Sequence, residues 1–355
     1  AGLSFANYVS ATLGMLANLY FSETHNPEVA LPATMNVEVE SSTSAAIARC
    51  VDSLINVLGP DLQDSTKSRE LIFTLVGYFQ QEEDTEVQKA SLICLEHLSL
   101  YAPGFVHFVE YVKTLQRFLS SEHIILRDVA VDGLHNLMKR NPYDVIQAAD
   151  KGFEEQLWLV LDSDPSHDGM RNTIRNWMRS TCLTNTAEWL ARFQHVLKMT
   201  RPKEAVKEVV KTNQASSGAI DLRDEEVAGF AAASSGAKDE KDTPHRSEVE
   251  PLRWQVSTFV MDCLNDIFML VNKDVATHGD SQAQMALQTK IADVVRMAFS
   301  ASTAGVIEQR IWGLKIIGAV LKMFGNTPDP DFEEAMLLEQ YQAQISSALT
   351  PAFAA

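Results

Sequence analysis

The sequence predicts an all-α fold, a solenoid of antiparallel helix pairs carrying one long disordered insertion. Three observations carry that prediction. An apolar stripe at steps of 0, 3, 4, 7, 8 and 11 runs through Val87, Ala90, Ser91, Cys94, Leu95 and Leu98, and returns in Leu126, Val129, Ala130, Gly133, Leu134 and Leu137. That spacing lines one face of a helix. The stripe starts at Ile47, Val87, Leu126 and Met170, at intervals of 40, 39 and 44 residues, and a helix pair recurring at about 40 residues is the HEAT-type pattern. Between the striped helices lie other amphipathic stretches and Pro- or Gly-marked turns, so each repeat reads as a pair.

The elements follow in order. Residues 3 to 21 read as one helix, with Leu3, Val9, Leu13, Leu16 and Tyr20 among its apolar positions. The first 22 residues carry no charge, but Asn7, Ser10, Thr12 and Asn18 make them too polar for a membrane span, and no basic segment precedes them. They read as core. Asn26-Pro27 and Leu31-Pro32 break the chain, and Ser41, Ser42, Thr43 and Ser44 supply N-cap candidates. The striped helix Ile47–Leu58 then ends at Gly59-Pro60.

A partner helix over Glu70–Gln81 leads into Glu82, Glu83 and Asp84, carboxylates that suit the N-terminus of the next striped helix. Pro103-Gly104 marks a turn, and Phe105, Phe108, Val109, Val112, Leu115 and Leu119 outline the following partner helix. Asn141-Pro142 ends the helix carrying Leu137. Phe153–Leu161 is the partner of the striped helix Met170, Thr173, Ile174, Trp177, Met178 and Thr181, and Glu188–Met199 continues in helical phase.

From Arg201 to Glu250 the pattern fails. Ala, Ser, Gly, Lys, Asp and Glu dominate, too few large apolar residues to offset chain ordering at about 1–2 kcal/mol per residue. The organisation expected is a first solenoid stretch at 1–200, a charged and mostly disordered loop at 201–250 with a short helix at Glu204–Lys211, and a second solenoid stretch at 251–355. In that second stretch Val256, Phe259, Val260, Cys263, Leu264 and Ile267 meet all six steps. A helix over Gln282–Phe299 precedes the stripe Gln309, Trp312, Gly313, Ile316, Ile317 and Val320, where Gln replaces the first apolar residue. Pro328 and Pro330 punctuate, and Met336, Leu337, Tyr341, Ile345 and Leu349 make the last helix.

Composition excludes several functions. The net charge of −17 opposes nucleic-acid binding by the chain as a whole. Cys50, Cys94, Cys182 and Cys263 lie far apart without CxxC spacing, which suggests neither a zinc site nor a disulfide framework. Three of them, Cys50, Cys94 and Cys263, occupy stripe positions and read as small buried thiols. No GxSxG, GxxxxGK[ST] or HExxH motif occurs. No catalytic, cofactor or metal residue is therefore assigned, and His97 and His135 read as helix-flank residues. One row is a candidate partner-binding surface: Arg171, Arg175 and Arg179 recur every four residues on one helix face, suited to an acidic partner or a lipid headgroup.

Four segments carry a family resemblance. They are Leu58-Gly59-Pro60-Asp61-Leu62-Gln63, Arg253-Trp254 running into Asp262-Cys263-Leu264, Ile291 to Phe299 (IADVVRMAF), and Leu338 to Phe353 (LEQYQAQISSALTPAF). In these the chain resembles the HEAT-repeat-containing protein five family, large accessory proteins of the trans-Golgi clathrin adaptor. The last segment is the most specific. The resemblance implies an internal segment of a longer solenoid, an expectation that the initial Ala also fits. It implies a non-catalytic scaffold, without cofactors, that supports traffic between trans-Golgi network and endosomes. Its expected partners are the clathrin adaptor, smaller accessory proteins and other repeats of the same chain, with homo-oligomers open. Nucleic acid is not among them. The expected location is cytoplasmic, peripheral and indirect on trans-Golgi, endosomal and clathrin-coated membranes. A nuclear-transport-receptor-like solenoid that wraps a protein cargo is the alternative, though it leaves the likeness of 338–353 unexplained.

Overall fold

A computed structural model describes residues 5, 8–24, 42–199, 253–279, 281–330, 332 and 334–353. The expected insertion at 201–250 with its short helix lies outside them, as do Leu3, Asn26-Pro27, Leu31-Pro32 and Ser41. The described chain is helical. Its helices are α1 (Val9–Thr24), α2 (Thr43–Leu58), α3 (Thr66–Phe79), α4 (Thr85–Tyr101), α5 (Phe108–Leu119), α6 (Ile124–Arg140), α7 (Pro142–Ala148) and α8 (Phe153–Ser163). They continue with α9 (Asp168–Thr181), α10 (Thr186–Met199), α11 (Arg253–His278), α12 (Gln282–Thr289), α13 (Ile291–Ser302), α14 (Ile307–Phe324) and α15 (Gln342–Phe353). Among the described residues no β-strand occurs, only an isolated bridge between Pro328 and Met336. The all-α, HEAT-type solenoid read from the periodicity is the architecture observed.

Two compact units divide the chain, Ala1–Thr186 with Asp266–Ala286, and Ala187–Asn265 with Leu287–Ala355. In the first, the striped helices α2, α4, α6 and α9 pack side by side in sequence order, and α1, α3, α5 and α8 each pack on the striped helix that follows them. Stripe residues meet in the seams. Val51, Ile55, Val87, Cys94, Leu98, Ala130, Leu134, Met170 and Ile174 are at most 1% exposed. Burying a Leu, Ile or Val side chain contributes roughly 1.5–3 kcal/mol, so the repeated stripe is the main cohesive element.

Local chemistry places the helix ends. Ser42 caps α2, its Oγ accepting from the Ala45 N–H at 3.1 Å. Gly59 closes the same helix at φ +50°, where its N–H reaches the Ile55 carbonyl and Pro60 prevents continuation. Asp84 caps α4 by accepting from the Glu86 N–H at 2.8 Å, as the acidic run before that helix predicts. Glu82 in the same run accepts from the Tyr20 hydroxyl of α1.

Several sequence expectations move. The first helix spans Val9–Thr24, and Phe105 is 46% exposed outside the partner helix, while Tyr111 and Phe118 complete the buried face of α5. Cys50 is exposed, whereas Cys94 and Cys263 are buried. Cys50 stands at the third-step position, the margin of the stripe, where Val129 and Trp312 are also part-exposed. The expected helix over 282–299 is two, because Lys290 leaves helical geometry at φ −102°, ψ 17°. At the end, a short 3-10 turn over Glu339–Tyr341 precedes α15.

The second unit holds a close helix contact. Gly313 of α14 faces the backbone of α13, where an added Cβ would meet the Ser302 nitrogen, the Ala298 carbonyl oxygen at 2.7 Å and the Ala301 carbon at 2.8 Å. Only glycine allows these backbones so near. Gly133 is less constrained, since a Cβ there would press on the Leu115 side chain at 3.1 Å and the Tyr111 hydroxyl at 3.2 Å.

Candidate partner-binding surface

The three arginines named from the sequence lie on α9. Its N-terminus is fixed by His167, whose Nδ1 accepts from the Met170 N–H at 3.3 Å, and its apolar face is buried through Met170, Thr173, Ile174, Trp177 and Met178. Four-residue spacing then holds Arg171, Arg175 and Arg179 beside that face. Their surroundings differ. Arg171 and Arg175 are half-buried, and the Arg179 side chain keeps 47% of its exposure.

Asp266 of α11 gathers two of them. The Arg179 guanidinium donates to Asp266 Oδ2 from Nη2 at 2.6 Å and from Nε at 3.1 Å. The Nε of Arg175 lies 3.6 Å from the same oxygen. The Asp266 side chain is 13% exposed, so its carboxylate is mostly shielded from solvent while Arg179 stays open to it. Part of the basic row thus serves an internal ion pair, and the exposed side of Arg179 still faces solvent. Sequence could not place Asp266, because it lies 87 residues from Arg179.

Nearby chemistry is quiet. Cys182, at the end of α9, is buried, and burial pushes its thiol up to about 11, so it is a poor nucleophile at neutral pH. Burial likewise raises the Cys94 thiol.

The histidines stay apart. His97 is half-buried on α4, its Nδ1 2.6 Å from Asp52 Oδ1 and 3.1 Å from Asn56 Nδ2 on α2. His135 is half-buried on α6. His97 therefore ties consecutive striped helices. Among the described residues no group of three or more His, Cys, Asp or Glu is arranged to hold a metal ion. Among the same residues no helix is long and apolar enough to cross a membrane.

Comparison with known proteins adds to this geometry. Residues 286–355 match the family model described as the Laa1/Sip1/HEATR5 HEAT repeat region. The chain is 24% identical to Protein SWEETIE of Arabidopsis thaliana over 99% of its own length and 16% of the relative's. It is 27% identical to AP-1 accessory protein LAA1 of Saccharomyces cerevisiae over 57% of its length, 10% of that protein. The chain thus spans only a minor part of the curated relatives that it matches. Their likeness extends well beyond the residues of the family model. Residues 286–355 thus match a HEAT-repeat region of the Laa1/Sip1/HEATR5 type, and the rest of the chain is similar to much longer relatives.

Proposed function

We propose that this segment is part of a non-catalytic scaffold that supports clathrin-adaptor-dependent traffic between the trans-Golgi network and endosomes. The observation that carries this reading is the likeness to a yeast protein named as an AP-1 accessory protein, joined to the family match at 286–355. A solenoid favours such a role, because stacked helix pairs present a long surface at little cost to the core. The proposed partners are the adaptor, its smaller accessory proteins and further repeats of the longer protein. Membrane contact is then peripheral and indirect, through those partners.

Within this reading we assign Arg171, Arg175 and Arg179 to an acidic surface of a partner, with Arg179 as the most accessible member. The test uses the full-length protein and this segment, each purified from cells under matched conditions and followed by mass spectrometry. Adaptor subunits enriched with the full-length protein support the proposal. A Ran-type GTPase with nucleoporins, and no adaptor, would overturn it. Replacing the three arginines by Glu in the full-length protein tests the row: undiminished adaptor recovery removes it from the interface.

A further inference from the structure

Helix α14 carries two apolar stripes. The first, through Gly313, Ile316, Ile317 and Val320, is buried. The second runs through Ile307, Ile311, Leu314, Gly318 and Leu321, at alternating steps of four and three residues. Ile307 is 60% exposed, Ile311 48% and Leu321 39%, Gly318 is exposed and Leu314 half-buried. Alternation of four and three is the seam period of one helix packing along another, and a solvated helix face does not need it.

Two further features mark this seam. Gly318 has open space where its Cβ would be, so the fold does not require glycine there. Glycine is among the poorest helix formers, and at that position it leaves a notch into which a second backbone can settle. The charges beside the seam are mainly cationic in a chain of net charge −17. Arg310, Lys315 and Lys322 are exposed, with Glu308 the one carboxylate within the helix. Lys315 lies 3.9 Å over the Trp312 ring, which restrains its ammonium on this helix.

We propose that the outer face of α14 docks an amphipathic helix of another protein, one with an apolar seam flanked by Asp and Glu. Seam period sets the packing and the cationic border sets the charge of the partner. A second copy of this chain is disfavoured, because pairing the same face with itself would bring like charges together. The inference is independent of the adaptor reading and stands or falls separately.

The test is binding of a labelled helical peptide of about four heptads, with Leu at the seam positions and Glu beside them, followed by fluorescence anisotropy. A matched peptide carrying Lys beside the seam is expected to bind at least about tenfold more weakly. Gly318→Arg fills the notch without a clash in the fold, and Ile311→Asp breaks the seam at an exposed position. Each is expected to weaken the Glu peptide by about tenfold or more without lowering the melting temperature. Joint replacement of Arg310, Lys315 and Lys322 by Glu should invert the preference between the two peptides. Equal binding of both peptides, no binding of either, or indifference to Gly318→Arg and Ile311→Asp would overturn the proposal. So would a dimer in sedimentation that Ile311→Asp dissolves, which would make the occupant a second copy.

Discussion

Arg179 of α9 closes on Asp266 of α11 through two hydrogen bonds to one carboxylate oxygen, while Arg175 approaches that oxygen at 3.6 Å. The relationship is asymmetric. Arg179 is largely exposed, so Arg179→Ala should cost less than about 1 kcal/mol. Asp266→Ala should cost more, about 1–2 kcal/mol, because it removes both the hydrogen-bond acceptor of Arg179 and the carboxylate that Arg175 approaches. Denaturant midpoints of the two variants decide the order, and a milder loss for Asp266→Ala would refute it.

Two glycines of α14 should behave oppositely. Gly313→Ala drives a methyl into the α13 backbone and should destabilise by about 1–3 kcal/mol, since backbone cannot swing aside as a side chain can. Gly318→Ala meets open space and gains helix propensity, so it should stabilise by up to about 1 kcal/mol. Thermal unfolding of the pair provides the check. Equal shifts in the same direction would contradict the contact geometry.

Leu134 is fully buried between packed helices, and Leu95 is 8% exposed in the preceding repeat. Either residue replaced by Asp places a carboxylate without a partner in a seam, at a cost of several kcal/mol. The expected result is loss of the cooperative transition for Leu134→Asp and a smaller drop for Leu95→Asp. Circular dichroism against temperature distinguishes them.

Asp84 links cap and repeat. The Ser42 hydroxyl donates to its Oδ2 at 2.5 Å and holds its carboxyl below the usual carboxylate range, against the opposing pull of burial. A carboxyl depressed in the folded state adds stability above its unfolded value, about pH 4, and that stability is lost as pH falls through the folded value. Ser42→Ala should therefore raise the Asp84 titration midpoint toward the unfolded value and reduce the stability that this carboxyl loses below about pH 4. Carboxyl carbon resonances of labelled Asp followed from pH 2 to 6 report the shift directly.

What was legible in the sequence is what repeats locally. Stripes, the Ser42 cap, the Gly59-Pro60 stop and the acidic lead into α4 each follow from residues within a turn or two, where helix geometry dictates neighbours. The arginine row was legible in the same way. Its partner Asp266 was not, because pairing across 87 residues depends on how the chain returns. The burial of Arg69 was equally hidden: it donates to the Leu62 carbonyl at 3.2 Å and lies 3.6 Å over the Phe105 ring, a tie between two turns. The exposure of Cys50 shows the limit of periodicity, which counts stripe membership without weighing its margins.

The side-by-side order of α2, α4, α6 and α9 has a mechanical consequence. Each of these helices grips the next, so a load along the row passes through successive seams like springs in series. Compliance then adds with every seam, while strength is set by the weakest one. Under tension the row should stretch smoothly at small extension and then yield one repeat at a time.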